Sequence, residues 1–268
     1  LNVASTCFCS SKSAKSGATI PNFTARGDWI SMPEWSDCGV IVNVRKYAET
    51  GAVVTFFTQE HGRHNALCSS VFSKRNSGTF QIGNLVQIAW NARLEEHLGT
   101  AKVELLTPYA AAVLADAERL SVLASACALL LLLPEREPNP DFFEKTVKLL
   151  AVLPFDGFLE AYARWEVDLL SALGFGLDLS ACALTGKTSD LCYVSPKSGR
   201  AVSREAGAPW ADRLLVLPAF LTDGEKSAEN REEIKKALKL TGFFLENYGA
   251  KTVDYRIPTA RNRLIEKV

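Results

Sequence analysis

Gly39-Val-Ile-Val-Asn-Val-Arg-Lys46, the turn signal Glu49-Thr-Gly51, and Ala52-Val-Val-Thr-Phe-Phe-Thr58 decide how this chain begins to fold. Val, Ile, Thr and Phe suit a pleated surface, and glycine suits the reversal between two strands. Outward from that hairpin, Gln59-Glu-His-Gly-Arg63 reads as another turn, with Arg63 and His64 at its tip. His64-Asn-Ala-Leu-Cys68 follows as a weak third strand. Asn84-Leu-Val-Gln-Ile-Ala-Trp90 and Gly99-Thr-Ala-Lys-Val-Glu-Leu-Leu106 alternate apolar and polar residues, the period of a half-buried strand. Five short strands with Gly-containing turns predict a small closed barrel of the OB type; an SH3-like barrel would read almost the same.

After Pro108 the period lengthens. Tyr109–Leu133 is Ala/Leu-rich and reads as a helix, with Asp116, Glu118 and Arg119 inside the run. Its uninterrupted apolar part, Val122–Leu133, is about a dozen residues against the ~20 needed to span a bilayer, which makes it a buried core helix. Pro134-Glu-Arg-Glu-Pro-Asn-Pro140 is too proline-rich to continue a helix and reads as a loop. Asp141 is placed to cap the helix Phe142–Leu153. Gly157–Leu173 carries Phe158, Tyr162, Trp165, Leu169 and Leu173 on one stripe, stopped by Gly174 and Gly176. Residues 177–222 are irregular; Ala228–Tyr248 and Thr259–Val268 read as two last helices. The predicted class is α+β in two domains: an OB-like barrel over 32–108, then a helical domain over 109–268 with an irregular insert at about 177–222.

Composition narrows the function. Lys and Arg number 30 and Asp and Glu 30, so the net charge is zero and a histone-like polycation is excluded. Any nucleic-acid surface must be a local patch. Seven scattered cysteines do not make a disulfide scaffold and suit a reducing cytoplasm. Residues 1–31 are Ser/Thr-rich, lack periodicity and precede Met32, the single methionine; they read as a non-native or disordered extension.

The catalytic motifs are missing: there is no G-x-S-x-G elbow, no Walker A loop and no H-E-x-x-H. His61, His64 and His97 read as solvated turn residues, and no catalytic residue is assigned. Cys182-Ala-Leu-Thr-Gly186 looks like half of a zinc knuckle, but no histidine follows residue 97, and Cys182 and Cys192 cannot close a tetrahedral site. No metal or cofactor is assigned. Nucleic acid is the remaining chemistry. Arg45 and Lys46 end the first strand, Arg63 and His64 sit at the turn, Lys74 and Arg75 lie in the Ser-rich loop Ser73–Gly78, and Arg93 precedes the last strand. Loops and strand ends of such barrels are where a nucleic-acid strand tracks, and Phe56, Phe57, Phe72, Phe80 and Trp90 are nearby aromatics for stacking. With Lys102, the seven Lys and Arg residues of the barrel are matched by seven acids, which leaves a solvated fringe as the plain alternative. Arg256, Arg261, Arg263 and Lys267 form either a second basic patch or favourable charge at a helix end.

Taken in order, several short stretches resemble the family of the bacterial DNA repair protein RecO. They are Trp35-Ser-Asp-Cys-Gly39, Glu60-His-Gly-Arg63, Gly83-Asn-Leu-Val86, Leu94-Glu-Glu-His-Leu-Gly99, Leu173-Gly-Phe-Gly-Leu-Asp-Leu-Ser180, Cys182-Ala-Leu-Thr-Gly186 and Tyr193-Val-Ser-Pro-Lys-Ser-Gly-Arg200. The resemblance runs from about Met32 to the C-terminus. It implies an OB barrel, a helical bundle and a zinc-knuckle-like insert. It further implies a non-enzymatic recombination mediator of RecF-pathway repair. Such a protein binds single- and double-stranded DNA, anneals complementary strands, and contacts RecR and single-strand-binding protein so that RecA can load. A bacterial cytoplasmic, nucleoid-associated location follows from that. Some members hold zinc through two C-x-x-C pairs; here Cys182 alone survives, with Thr185, Ala201 and Ser203 where ligands would be sought, so Tyr193 and Trp210 are expected to hold the insert by packing. The rival reading is a protein–protein adaptor whose barrel does not contact DNA.

Overall fold

The first long strand, β1 (Glu34–Tyr47), serves two neighbours at once. Its first half pairs antiparallel with β4 (Leu85–Asn91) and its second half with β2 (Gly51–Thr58). β2 pairs with β3 (Gly62–Cys68), β4 with β5 (Thr100–Thr107), and the parallel contact Leu67↔Thr100 closes a five-stranded barrel. The computed structural model describes residues 22–23, 29–30, 32–47, 49–222, 226–249 and 258–268. The expectation for 1–31 lies outside the described residues, apart from a two-residue ladder between Asn22–Phe23 and Trp29–Ile30.

Strand alternation explains why β1 and β2 read as continuous apolar runs. Ile41 and Phe56 are register partners and fill the barrel interior with Val54, Ala66, Ile88 and Trp90. Their neighbours Val40 and Phe57 point the other way, into a core shared with the helices. Phe57 meets Phe142 at 5.9 Å and Phe143 at 5.6 Å between ring centroids. Both faces are therefore dry at Val40–Val42 and at Phe56 and Phe57, and side-chain alternation cannot show there as polar alternation.

The helical part begins with a correction. The Tyr109–Leu133 run is not one helix but α1 (Tyr109–Val113) and α2 (Ala117–Leu130). Asp116 breaks it by capping α2: its carboxylate accepts from the N–H groups of Glu118 and Arg119 at 2.9 and 3.1 Å. A capping aspartate offers the backbone a better alternative than a continued turn. α2 buries Val122, Leu123, Ala126, Cys127, Leu129 and Leu130 and is the central helix expected. α3 (Pro140–Val152) is capped by Asn139, whose side chain accepts from Phe142 N–H at 3.1 Å; Asp141 lies in the first turn instead. Proline at the first helical position needs no N–H partner, which moves the cap one residue before it. α4 (Phe158–Ala172) buries Phe158, Tyr162, Trp165 and Leu169 of the anticipated stripe, while Leu173 lies just past its end and is half-buried. The irregular insert holds a small sheet of β6 (Leu191–Val194), β7 (Ala201–Ser203) and β8 (Leu215–Val216), with the short turn α5 (Arg204–Gly207). α6 (Arg231–Phe244) and α7 (Thr259–Lys267) complete the bundle. Among the described residues, no helix is long and apolar enough to cross a membrane.

Candidate nucleic-acid interface

A bulge decides which way the first cationic residue points. Ile41 pairs with Phe56, but the next pair is Asn43 with Thr55, so Val42 is the extra residue. Unbroken alternation from Ile41 would send Asn43 and Arg45 into the barrel. The bulge resets the phase, so Asn43 and Arg45 share the outer face with Thr55 while Val44 packs on the interior. One row across β1, β2 and β3 is then Asn43, Thr55 and Asn65; the next is Arg45, Val53 and Leu67. With Leu98 from the β4–β5 loop, Asn43, Arg45, Val53, Thr55 and Asn65 line a groove of about 240 Å³. Thr55 Oγ1 donates to Asn65 Oδ1 at 2.7 Å, which orients the Asn65 amide nitrogen to donate to Glu135 Oε1 at 2.9 Å.

The remaining sequence candidates separate. Lys46 is exposed and lies 6.0 Å from the Phe72 ring centroid at the barrel end, and Phe72 is 51% exposed. Lys74 and Arg75 are exposed in the same loop as Phe72, and Arg93 is exposed in the loop that carries Leu98. Phe56, Phe57 and Trp90 are core, so Phe72 is the aromatic of that set with an open face.

Arg63 and His64 are not at a hairpin tip: β3 begins at Gly62 and both lie within the strand. Arg63 faces outward beside Phe57 but turns toward the helices, its Nε donating to Leu133 O at 2.7 Å and its Nη1 meeting Glu135 Oε1 at 3.1 Å. His64 faces inward opposite Phe56 and is 5% exposed, edge-on to Trp35 and Trp90. Both of its ring nitrogens lack a protein partner. Burial first, then the Arg136 and His61 charges, press its pKa down to about 4, and Glu135 opposes weakly. It is a neutral core residue at physiological pH, not a surface cation. Phe56 and Trp90 would have betrayed its parity, because the strand alternates.

His61 is half-buried, not a freely solvated turn residue. Its ring stacks on Trp35 at 4.1 Å, and Nδ1 lies 2.9 Å from the buried Asp37 carboxylate. His97 is exposed.

The loop 134–140 is a strap, which periodicity could not reveal. Arg136 N–H donates to Arg63 O at 2.9 Å, and the Arg136 guanidinium donates to the carbonyls of Glu95, Glu96 and His97. Arg136 holds a left-handed φ of 60°, and Gly62, at φ 65°, makes room for it: a Cβ there would lie 2.2 Å from Glu137 O. The strap thus ties β3 to the loop that carries Arg93 and Leu98.

The C-terminal basic patch is likewise redistributed. Arg261 is buried and donates to Glu166 from Nε at 2.7 Å and from Nη2 at 2.8 Å. Lys267 reaches Ser121 Oγ at 2.9 Å, Arg263 is exposed, and Arg256 lies outside the described residues. In the insert, the Ser203 N–H donates to Cys182 Sγ at 3.3 Å, and Ala183 N–H donates to Ala201 O at 2.8 Å. Tetrahedral zinc takes four thiolate or imidazole-type ligands. Cys182, Thr185, Ala201 and Ser203 supply one thiol, so these residues do not fit that metal. Backbone bonds fasten the Cys182 turn to β7 in its place. Tyr193 packs against Gly207 as expected of an anchor, whereas Trp210 is exposed and carries Arg213 over its ring.

Comparison with known proteins agrees with this architecture. Residues 32–109 match the family model for the N-terminal part of recombination protein O, and residues 114–254 match that for its C-terminal part. A DNA repair protein RecO from Rhodospirillum rubrum is 45% identical over 244 residues, covering 88% of this chain and 97% of its own length. Another from Rhodospirillum centenum is 44% identical over 237 residues, covering 87% and 94%. A third, from Ruegeria, is 45% identical over 236 residues, covering 87% and 97%. The chain belongs to the RecO family of DNA repair proteins.

Proposed function

We propose that this protein is a non-enzymatic recombination mediator of RecF-pathway repair, acting in the bacterial cytoplasm at the nucleoid. It binds single- and double-stranded DNA through the OB-like barrel, anneals complementary strands, and helps RecA load on strands coated by single-strand-binding protein. The observation that carries this reading is the outer-face groove of β1, β2 and β3, where the bulge at Val42 presents Arg45 beside the Asn43, Thr55 and Asn65 polar groups. Arg45 supplies a phosphate-attracting charge, and the amides and hydroxyl supply hydrogen bonds that read no base. Lys46 with Phe72, and Lys74, Arg75 and Arg93, extend the path over the barrel end and the β4–β5 loop; Arg63 lies behind the strap, and His64 is left out of the set.

Annealing brings two polyanions together. Cations along the groove displace counterions from both, so affinity falls steeply with salt and depends little on sequence. Partner contacts fall to the helical part. A second groove, of about 790 Å³, runs between β8 and α6 and is lined by Leu179, Leu191 and Leu217 together with Lys236, Glu233 and Arg204, the last paired with Asp190 at 3.2 Å. We assign the single-strand-binding protein contact there.

The test is annealing of two labelled complementary oligonucleotides coated with single-strand-binding protein, at low and high salt. Salt-sensitive acceleration that is lost in Arg45→Glu supports the reading. Acceleration unchanged in Arg45→Glu, Lys74→Glu and Arg75→Glu, singly and together, would leave the adaptor reading in its place.

A further inference from the structure

Glu135 sits between two donors on the outer face of β3. Its Oε1 accepts from Arg63 Nη1 at 3.1 Å and from Asn65 Nδ2 at 2.9 Å. Asn65 lines the groove, and Arg63 lies one row toward the helices on the same face of the same strand. The carboxylate therefore occupies two donors, one charged, that suit an oxyanion at the groove's inner end. It belongs to the strap, not to the barrel. The Arg63 side chain is 16% exposed and Glu135 52% exposed, so the cation is recessed while its partner faces solvent.

Energetics favour exchange over permanence. The carboxylate side of the pair is open to solvent and screened, so a phosphate that brings further contacts along the groove can displace it. Arg63 does not swing free when that happens, because its Nε stays bound to Leu133 O at 2.7 Å. The arginine is held ready in place and only its anion changes. The strap keeps its other ties, the Arg136 N–H on Arg63 O and the Arg136 guanidinium on the carbonyls of 95–97.

We propose that Glu135 is a built-in phosphate mimic that closes the inner end of the groove and is displaced from Arg63 and Asn65 by a backbone phosphate of the bound strand. This rests on the reading of the groove as the DNA path. The consequence is a self-limited affinity: each binding event must release Glu135, which takes up a cation from solution as the phosphate gives one up. The salt dependence of the native chain is thus shallower than its cations alone would give.

The experiment uses the full chain and a fluorescent oligothymidylate, with anisotropy followed from about 50 to about 200 mM NaCl. Glu135→Gln keeps a side-chain oxygen that can accept from Arg63 and Asn65, so the strap keeps its tie, but it carries no charge. It should bind about two- to fivefold tighter at fixed salt, the reach of one exposed charge. Its plot of log affinity against log salt should steepen by up to about 0.7, one more uncompensated single-strand phosphate. In an Arg63→Ala background the gain should largely vanish, because the charged donor is gone and the Asn65 amide alone is left for the phosphate. Unchanged or weaker binding by Glu135→Gln would overturn the proposal, making Glu135 a strap fastener only. An equal gain with and without Arg63 would also overturn it, reducing Glu135 to diffuse repulsion. Arg45→Ala, run beside them, separates the two levels. If it leaves affinity untouched, the groove is not the DNA path and the proposal falls with that reading; if it weakens binding, the Glu135 result stands alone.

Discussion

Two of the arginine–carboxylate pairs in this molecule are built to opposite ends. Arg261 and Glu166 join α7 to α4 with 2% and 0% of their side chains exposed. The pair is bidentate, and Arg261 Nη2 also donates to Leu238 O at 2.7 Å and lies 3.2 Å from Thr241 Oγ1. Every strong group there has a partner, and no solvent or ligand can compete. Arg63 and Glu135 join β3 to the strap through one contact at a rim. The same two residue types make a permanent latch in one setting and a replaceable plug in the other. Burial and the number of additional partners set the difference, not the identity of the ions.

The largest test of that contrast removes one ion from each pair. Glu166→Ala strands the Arg261 guanidinium in the core and should cost about 3–5 kcal/mol. Glu135→Ala should cost less than about 1 kcal/mol. Urea denaturation of both variants measures the gap; similar losses would dissolve the distinction. Next, Gly62→Ala attacks the strap from beneath. The left-handed backbone alone costs a non-glycine residue about 1–2 kcal/mol, and the new Cβ meets the Glu137 carbonyl at 2.2 Å. The strap must shift, so this variant should lose stability and also change DNA affinity, which Glu166→Ala, if it still folds, should not.

pH separates the two regions further. His64 in the barrel has a folded pKa of about 4, below the 6.5 of an unfolded chain. Its contribution is complete above pH 6.5 and is lost as the pH falls through 4. His64→Phe should flatten that limb of the melting-temperature profile. Tyr162 marks the buried pair instead: burial, then the Glu166 charge, hold its phenol well above 10. Its contribution is intact below pH 10 and is lost as the pH rises beyond it, a limb that Tyr162→Phe should remove. The smallest effect belongs to the helix start: Asp116→Ala should cost about 1 kcal/mol and leave both pairs and DNA binding unchanged.

What the sequence conveys follows the range of each interaction. The strands over Gly39–Leu106 are legible because alternation and turn glycines are local, and α4 is legible because its stripe repeats every turn. Local competition is harder: Asp116 splitting α1 from α2, and Asn139 capping in place of Asp141, turn on one hydrogen bond each. Glu166 lies one turn after Tyr162 on the buried face of α4, where nothing in the apolar stripe marks it. Its partner Arg261 is 95 residues away and could not be named. Arg63 was legible as a cation but not as one held by Leu133 and Glu135, 70 and 72 residues on. The bulge at Val42, which aims Arg45, leaves no composition signal. The cationic candidates were thus legible by type, and the directions of Arg63 and His64 were not.

The most direct measurement is the affinity of the full chain for single-stranded DNA after Arg45→Glu, set beside Lys239→Glu, an equal charge change on the exposed face of α6. The account predicts that Arg45→Glu weakens binding at least tenfold beyond Lys239→Glu, about 1.4 kcal/mol, with a shallower salt dependence. Equal losses in the two variants would show that DNA senses only the overall charge, and would contradict a binding path along the barrel groove.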